Sequence, residues 1–337
     1  MAASPTPKPS RAKSAEPGAH PGAVALSAWA ARHWGQDLPT RIGVAFSAGA
    51  DSTALLLAAH AQWGERVLAL HVHHGLQAAA DAFEATARAT CARHGIALVS
   101  QRVNAHGAAG QSPEDAARQA RYRALAALAQ ASGASWVLLG QHLDDQAETV
   151  LLALSRGAGL PGLAAMPDAF SREGVHFGRP WLGIASADLR AWLQRQGEHY
   201  VDDPSNQDTR FTRSRIRHQL APAWAGAFEG YREALSRTAG HAAQAQRLLD
   251  ELATADLASI GHPPTLAALQ GLSRDRQANA LRHWLRSDEG VAASAAQLDE
   301  LLDQIDACRT RGHRIHIKVA NGFVVRAQDR LAYTPSV

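Results

Sequence analysis

The residues best placed to do chemistry begin at Phe46-Ser47-Ala48-Gly49-Ala50-Asp51-Ser52-Thr53. A short apolar run precedes them and a helical pattern follows, so they form the loop between a strand and a helix. Such a loop offers unpaired N–H groups and the positive end of a helix dipole, the two features that hold a phosphate. Ser47, Ala48, Gly49, Ala50, Asp51 and Ser52 are therefore candidate nucleotide-binding residues, with Gly49 allowing close backbone approach. Asp51 is the odd member, because a carboxylate beside a polyphosphate is repulsive unless a divalent cation lies between them; it predicts Mg2+ at this loop. The same residues also suit a tight turn with Asp51 or Ser52 as a helix N-cap and no ligand. No Walker loop is present, since no lysine stands near the turn.

A second constellation follows a later apolar run: Gln141-His142-Leu143-Asp144-Asp145-Gln146-Ala147-Glu148-Thr149. On a helix beginning here, Asp144, Asp145 and Glu148 project carboxylates along one face at the first turn. Asp145 is a candidate to share Mg2+ with Asp51, and Asp145 and Glu148 are candidate catalytic residues. Acids at a helix start are also favoured by the dipole alone, by about 0.3–1 kcal/mol. Glu114, Arg118 and Arg121 recur at helical spacing; Arg118 is a candidate to touch an α-phosphate or a nucleic acid, and an Arg–Glu surface pair explains the spacing equally well. His71 and His73 share one face of a strand and His74 takes the other, so the three do not converge on a metal; His74 is expected to line the nucleotide side. Arg210, Arg213, Arg215 and Arg217 fall within eight residues that contain no acid, a strip suited to RNA phosphates unless it is simply a solvated charged face.

The elements that must position these residues alternate. Apolar runs at Arg41–Phe46, Val67–Val72, Ile96–Val103 and Trp136–Leu139 read as strands, and helical patterns follow at Thr53–Trp63, Asp81–His94, Pro113–Ala131 and Asp144–Ser155. Strand and helix repeating in this way give an α/β doubly wound parallel sheet with right-handed crossovers. In its expected order 3-2-1-4-5 the fourth strand lies beside the first, so the two constellations face each other across one crevice. Ser112-Pro113-Glu114-Asp115 marks one helix start. Helices near Ala187–Gln196 and Phe211–Leu220 follow. Further helices near Tyr231–Leu257, Arg274–Ser287 and Ala295–Ala307 and short strands near Arg314–Val319, Phe323–Arg326 and Leu331–Tyr333 suggest a second, smaller, mainly helical domain. We expect a flexible basic arm at 1–22, a catalytic domain at 23–222 and a binding or packing domain at 223–337.

Composition sets outer limits. The chain has 337 residues, 46% hydrophobic and 19% charged, with a net charge of +3. That length is enough for two cores. No uncharged apolar run reaches the length of a membrane span, and the first 22 residues lack the apolar centre of a signal peptide. With two distant cysteines and no C-x-x-C, neither a disulfide scaffold nor a structural zinc site is expected, and a reducing cytoplasm is the natural setting.

The Ser47–Thr53 loop resembles the S-G-G-x-D-S loop of the N-type ATP pyrophosphatases (the PP-loop superfamily), which cleave ATP between its α- and β-phosphates. Ala48 departs from the usual glycine, and the fit is expected to require φ < 0 there. From Ile42 to about Ala223 the chain resembles the tRNA(Ile)-lysidine synthase family. The resemblance rests on HVHHGL, the stretch Ala117–Tyr122, HLDDQAETVLLALSRGAGLPGL, Arg179-Pro180, DDPSNQD and RSRIR, with departures at Gln141, Gln77 and Ser214. It implies ATP-dependent attachment of free L-lysine to C2 of the wobble cytidine of a CAU-anticodon tRNA(Ile), through an adenylated cytidine, with Mg2+ as cofactor. It also implies no membrane partner and allows a homodimer. The rivals are another PP-loop tRNA-modifying or amide-forming enzyme and an RNA-binding protein without catalysis. Thiolation normally uses paired cysteines, which this chain lacks.

Overall fold

Four of the apolar runs become parallel strands, as their β-branched and leucine content favours in a sheet covered on both faces. The computed structural model describes residues 20–73, 79–103, 113–202, 208–310 and 312–336. Within them lie β1 (Ile42–Ala45), β2 (Val67–His73), β3 (Ala97–Arg102) and β4 (Trp136–Leu138), linked by α2 (Ala50–Trp63), α3 (Ala79–His94) and α4 (Pro113–Ala131). The sheet runs β3-β2-β1-β4 and then outward. Strand order therefore reverses between β1 and β4, and their carboxyl ends open the crevice that such sheets use for ligands.

Beyond β4 the sheet departs from the expected purely parallel order 3-2-1-4-5. The position beside β4 is taken by β6 (Val175–Gly178), which is parallel to it, and the edge by β5 (Ala169–Arg172), which runs antiparallel to β6. The cause is local. Glu173 and Gly174 both have positive φ, 51° and 73°, the pairing a two-residue hairpin turn requires and that glycine permits.

One sheet face packs against α1 (Ala23–Trp34) and α2 through Trp29, Ile42, Leu55, Leu56 and Trp181, all fully buried. The other packs against α4 through Leu70, Leu125, Val137 and Phe177. Each such side chain contributes roughly 1.5–3 kcal/mol by leaving water. A Cβ at Gly178 would lie 2.3 Å from Trp29, so glycine there lets the indole lie against β6. The first 19 residues of the expected arm lie outside the described residues, but its end is anchored: the His20 ring stacks 5.0 Å from that of Trp181, whose Nε1 donates to Gly22 O. Burial pushes the His20 imidazole down to about 4.

The chain divides into two compact units at Ala239/Gly240, later than the expected 222/223. The division falls inside α10 (Tyr231–Ile260), because Tyr231, Leu235 and Ala239 pack with Val150, Leu151 and Ile216 of the first unit. Among the described residues, the second unit has α11 (Leu266–Gln270), α12 (Arg274–Ser287) and α13 (Ala295–Ala307), then the antiparallel strands β7 (His316–Val319), β8 (Gly322–Ala327) and β9 (Arg330–Pro335). Leu281, Trp284, Leu285, Leu301, Ile305, Val319 and Val324 fill its core. A reciprocal cap fixes the start of α13: Gln297 N–H donates to Ser294 Oγ and Ser294 N–H to Gln297 Oε1. Both cysteines are buried and unbridged. Among the described residues, no helix is long and apolar enough to cross a membrane.

Candidate active site

The phosphate-type loop closes on itself through hydroxyls. Ser47 N–H donates to Ser52 Oγ (3.2 Å), while Ser52 Oγ and Thr53 Oγ1 donate to Gly49 O (3.0 and 2.9 Å). Gly49 is the N-cap of α2 and supplies no side chain, so neither Asp51 nor Ser52 caps the helix. The first-turn N–H groups keep the uncapped state that favours an anion.

Ala48 overturns the expectation of a negative φ: it sits at φ 63°, in the left-handed region. Gly49, by contrast, has an ordinary extended φ of -79°. Alanine pays roughly 1–2 kcal/mol for that conformation. It is held there by full burial and by Val201 N–H donating to its carbonyl at 2.9 Å. Ala48→Gly removes this strain and regains unfolded-chain freedom worth about 0.5–1 kcal/mol. The net expectation is a small gain in the urea midpoint, and a clear loss would show that the buried methyl matters more.

Asp51 points from the first turn of α2 into the crevice. Its Oδ1 accepts from Ser186 Oγ at 2.9 Å, and its Oδ2 lies 3.5 Å from His142 Nε2. Burial alone raises the Asp51 carboxyl, but His142, Ser186 and Arg190 outweigh it and hold it below the usual range. Opposite stands α5 (Leu143–Ser155), whose N-cap is His142, its backbone N–H donating to Asp145 Oδ2 at 3.2 Å. The His142 Nε2 is also 3.3 Å from Asp145 Oδ2, and its Nδ1 is 3.5 Å from Asp144 Oδ2. Burial opposes its charge, yet the Asp51 hydrogen bond and the three carboxylates push it up to about 9. At neutral pH the ring is an imidazolium, its Nδ1 facing Asp144 in preference to the long 3.4 Å approach of Asp145 N–H.

Past a short α6 (Leu160–Leu163), α7 (Ser186–Arg195) begins with Ser186, whose N–H donates to Asp144 at 3.0 Å; Asp144 also pairs with Arg232 (2.5 Å). Glu148 is buried and takes both Nε and Nη2 of Arg217, at 2.6 and 2.9 Å. Burial raises the Glu148 carboxyl, against the pull of Arg217.

Two cavities meet at these groups. One, of about 550 Å³, is lined by Ser47, Gly49, Ala50, Asp51 and Ser52 but not by the buried Ala48, by His71 and Arg121, and by Gly140 and Gln141. The other, of about 620 Å³, is lined by His142, Asp144, Glu148, Arg217, Tyr231 and Arg232. Asp51, Asp145, Arg190 and Asp202 border both. Each is large enough for a small molecule or an extruded base.

The basic strip needs correction. Arg217 is drawn into the crevice by Glu148 and lies 3.5 Å from Asp145, and Arg210 pairs with Asp208 at 2.7 Å, so the four arginines are not a uniform set unpaired by local acids. The reason lies partly in the backbone. A π-helical turn over Ile216–Leu220 separates α8 (Thr212–Arg215) from α9 (Ala221–Ala227), so the α-helical spacing of Arg213 and Arg217 no longer defines one face. Arg215 is exposed beside Thr212.

Arg118 is exposed, with its guanidinium over the Tyr122 ring; Arg121, one turn on, lines the smaller cavity. His74 and Asp203–Gln207 lie outside the described residues, as does the capping residue Ser112. Several residues that carried the family resemblance are supports: buried Arg179 donates to Gln141 Oε1, Pro167 O and the Tyr122 hydroxyl. Sequence reasoning missed His142, Ser186, Arg190 and Asp202. Only His142 left a signal, its place as N-cap between a strand and two acids.

Asp51 and Asp145 offer hard carboxylate oxygens of the kind a divalent cation takes, each Oδ2 within 3.5 Å of His142 Nε2, and such an ion would compete with the charged ring for them. A second cluster, His73 with Asp81 and Glu84, brings its ligating atoms within 4.8 Å of one another. There both carboxylates are met by arginines, Asp81 by Arg102 and Glu84 by Arg88 and Arg102.

Residues 28–224 match a family model described as a PP-loop domain, and residues 265–332 one described as a TilS substrate binding domain. The chain is 58% identical over 293 residues to the tRNA(Ile)-lysidine synthase of Polaromonas naphthalenivorans, covering 87% of this chain and 89% of that one. It is 46% identical over 283 residues to the enzyme of the same name from Ralstonia nicotianae, of which it spans 60% while 82% of this chain is covered. Among solved structures, the U34-tRNA thiolase NcsA from Methanococcus maripaludis superposes with a TM-score of 0.54 at 14% identity, over 65% of this chain and 76% of that one. That likeness concerns the fold.

Proposed function

Because this chain belongs to the tRNA(Ile)-lysidine synthase family, we propose that it joins free L-lysine to C2 of the wobble cytidine of a CAU-anticodon tRNA(Ile), consuming ATP. The observation that carries this reading is the meeting of two remote segments: Asp51 after β1 and Asp145 after β4 face one His142 and border both cavities.

In this reading the triphosphate occupies the smaller cavity, on the uncapped start of α2. Asp51 and Asp145 would hold Mg2+, which neutralises the triphosphate when bound. The cytidine O2 attacks the α-phosphorus, the bond to the β-phosphate breaks, and pyrophosphate leaves. The lysine ε-amine then attacks C2, the C2–O2 bond breaks, and AMP departs. Lysine reaches the base from the larger cavity, whose carboxylates suit an ammonium group. With a pKa of about 10.4 the amine must lose a proton. Arg217 holds both oxygens of Glu148 and only approaches Asp145, so we take Asp145, once the ion has moved from it, as the acceptor in preference to Glu148.

Asp145→Asn is accordingly expected to slow lysine addition more than adenylation, by about 10²-fold. Single-turnover formation of AMP-linked tRNA, followed by a lysine chase, separates the two steps; equal loss of both would make Asp145 a metal ligand alone. Arg213, Arg215 and Arg210, the last by exchanging Asp208 for phosphate, contact the tRNA backbone, and the second unit adds to that grip. We place the reaction in the cytoplasm; the same reading allows a homodimer, which sedimentation tests.

The deciding assay supplies radiolabelled lysine, ATP, Mg2+ and unmodified tRNA(Ile) bearing CAU, with incorporation expected only when all four are present. Sulfur transfer is the reading it is weighed against. Burial pushes the Cys91 thiol up to about 11, leaving almost no thiolate at neutral pH.

A further inference from the structure

The phosphate-type loop has no positive side chain of its own, yet an ATP triphosphate brings roughly four negative charges. Among the described residues, the arginines lining the smaller cavity are Arg121 and Arg190. Arg190 differs from Arg121 in bordering both cavities, beside Asp51.

Arg190 stands on α7 with Nη1 3.0 Å from Asp202 Oδ1 and its guanidinium 5.6 Å from the Tyr200 ring centre. Its partner is weakly held: the Asp202 side chain is 72% exposed, and such solvated surface pairs add little. A phosphate offers the same guanidinium a multiply charged, bidentate acceptor and outcompetes a lone solvated carboxylate. The adjoining backbone is tied to the loop, since Val201 N–H donates to Ala48 O at 2.9 Å. Asp202 thus follows a residue bonded directly to the loop, and Arg190, Asp202 and the loop line one and the same cavity.

Resting on the ATP-dependent reading above, we propose that Arg190 is a phosphate ligand that leaves Asp202 to grip the β- and γ-phosphates and the pyrophosphate formed from them. As the bond between the α-phosphorus and the bridging oxygen breaks, its electron pair stays on the pyrophosphate. Arg190 neutralises that charge without taking or giving a proton. The alternative anions are the lysine α-carboxylate, reached from the larger cavity, and a tRNA phosphate.

The test compares wild type, Arg190→Gln, Arg190→Lys and Asp202→Asn by equilibrium binding of ATP and of inorganic pyrophosphate, alongside KM for ATP, lysine and tRNA. Arg190→Gln is expected to weaken pyrophosphate about tenfold or more and to raise KM for ATP in parallel, with lysine and tRNA constants within about threefold. Arg190→Lys should fall between, and Asp202→Asn, which removes the competitor, should tighten pyrophosphate. Unchanged pyrophosphate affinity in Arg190→Gln, or a rise confined to the lysine or tRNA constant, overturns the assignment. If Arg190→Gln does not fold, the lysine and asparagine variants decide by the same two constants. Should the wild type bind ATP and pyrophosphate yet make no lysidine, the binding data still judge Arg190, and only the choice of reaction fails.

Discussion

Asp51→Asn is expected to reduce AMP formation by about 10³-fold or more while tRNA affinity stays within about threefold of wild type. The amide keeps the shape of the carboxylate and can still accept from Ser186 Oγ, which now reaches Oδ1 at 2.9 Å. What disappears is the charge that faces His142 and, in the proposed reading, the triphosphate. Two readouts separate a chemical from a structural effect. Filter binding of tRNA reports on the arginines proposed to grip it, which lie in a different segment, and the ring of His142, with one carboxylate neighbour fewer, should titrate below its value of about 9 by NMR. Retained turnover would remove Asp51 from the reaction centre.

The second large effect concerns stability. Arg217→Ala leaves Glu148, 5% exposed, without its two charge-assisted hydrogen bonds. Breaking a buried pair from one side costs about 3–5 kcal/mol. Arg217 is itself 39% exposed, so water takes up part of the charge, and roughly 2–3 kcal/mol is expected. Burial already raises the Glu148 carboxyl, and loss of Arg217 raises it further. A carboxyl with a raised native pKa favours the fold while protonated and disfavours it once pH passes that pKa. The destabilisation should therefore be larger at pH 8 than at pH 5, read from urea midpoints, and Glu148→Gln in the same chain should recover much of it. A variant that loses tRNA affinity with no change in midpoint would return Arg217 to the RNA strip and refute the pairing as its main role.

Arg217 also shows how far spacing carries an argument. Four arginines without an intervening acid are read correctly as a local excess of charge, but the partner of Arg217 is Glu148, sixty-nine residues earlier. Nothing in a window around Arg217 encodes that meeting. Asp208, two residues before Arg210, is a local partner that the sequence does contain, just outside the acid-free stretch. Ser186 and Arg190 carry no local signature, being ordinary members of an amphipathic helix until α7 is laid beside Asp51. The antiparallel edge was legible in principle from Glu173-Gly174, a dipeptide able to supply two positive φ angles.

By itself the sequence determined the alternation of strand and helix, the loop after the first strand, the acids after the fourth and the family likeness, because hydrophobic period, small-residue turns and helix-start acids are local properties that a linear text preserves. Only the tertiary structure decided the rest. It put an imidazolium among three carboxylates, turned one RNA-strip arginine into the counter-ion of a buried acid, and forced Ala48 into the left-handed region. Each of these depends on distances between residues remote in the chain, and ionisation and backbone strain respond to what surrounds a group in space.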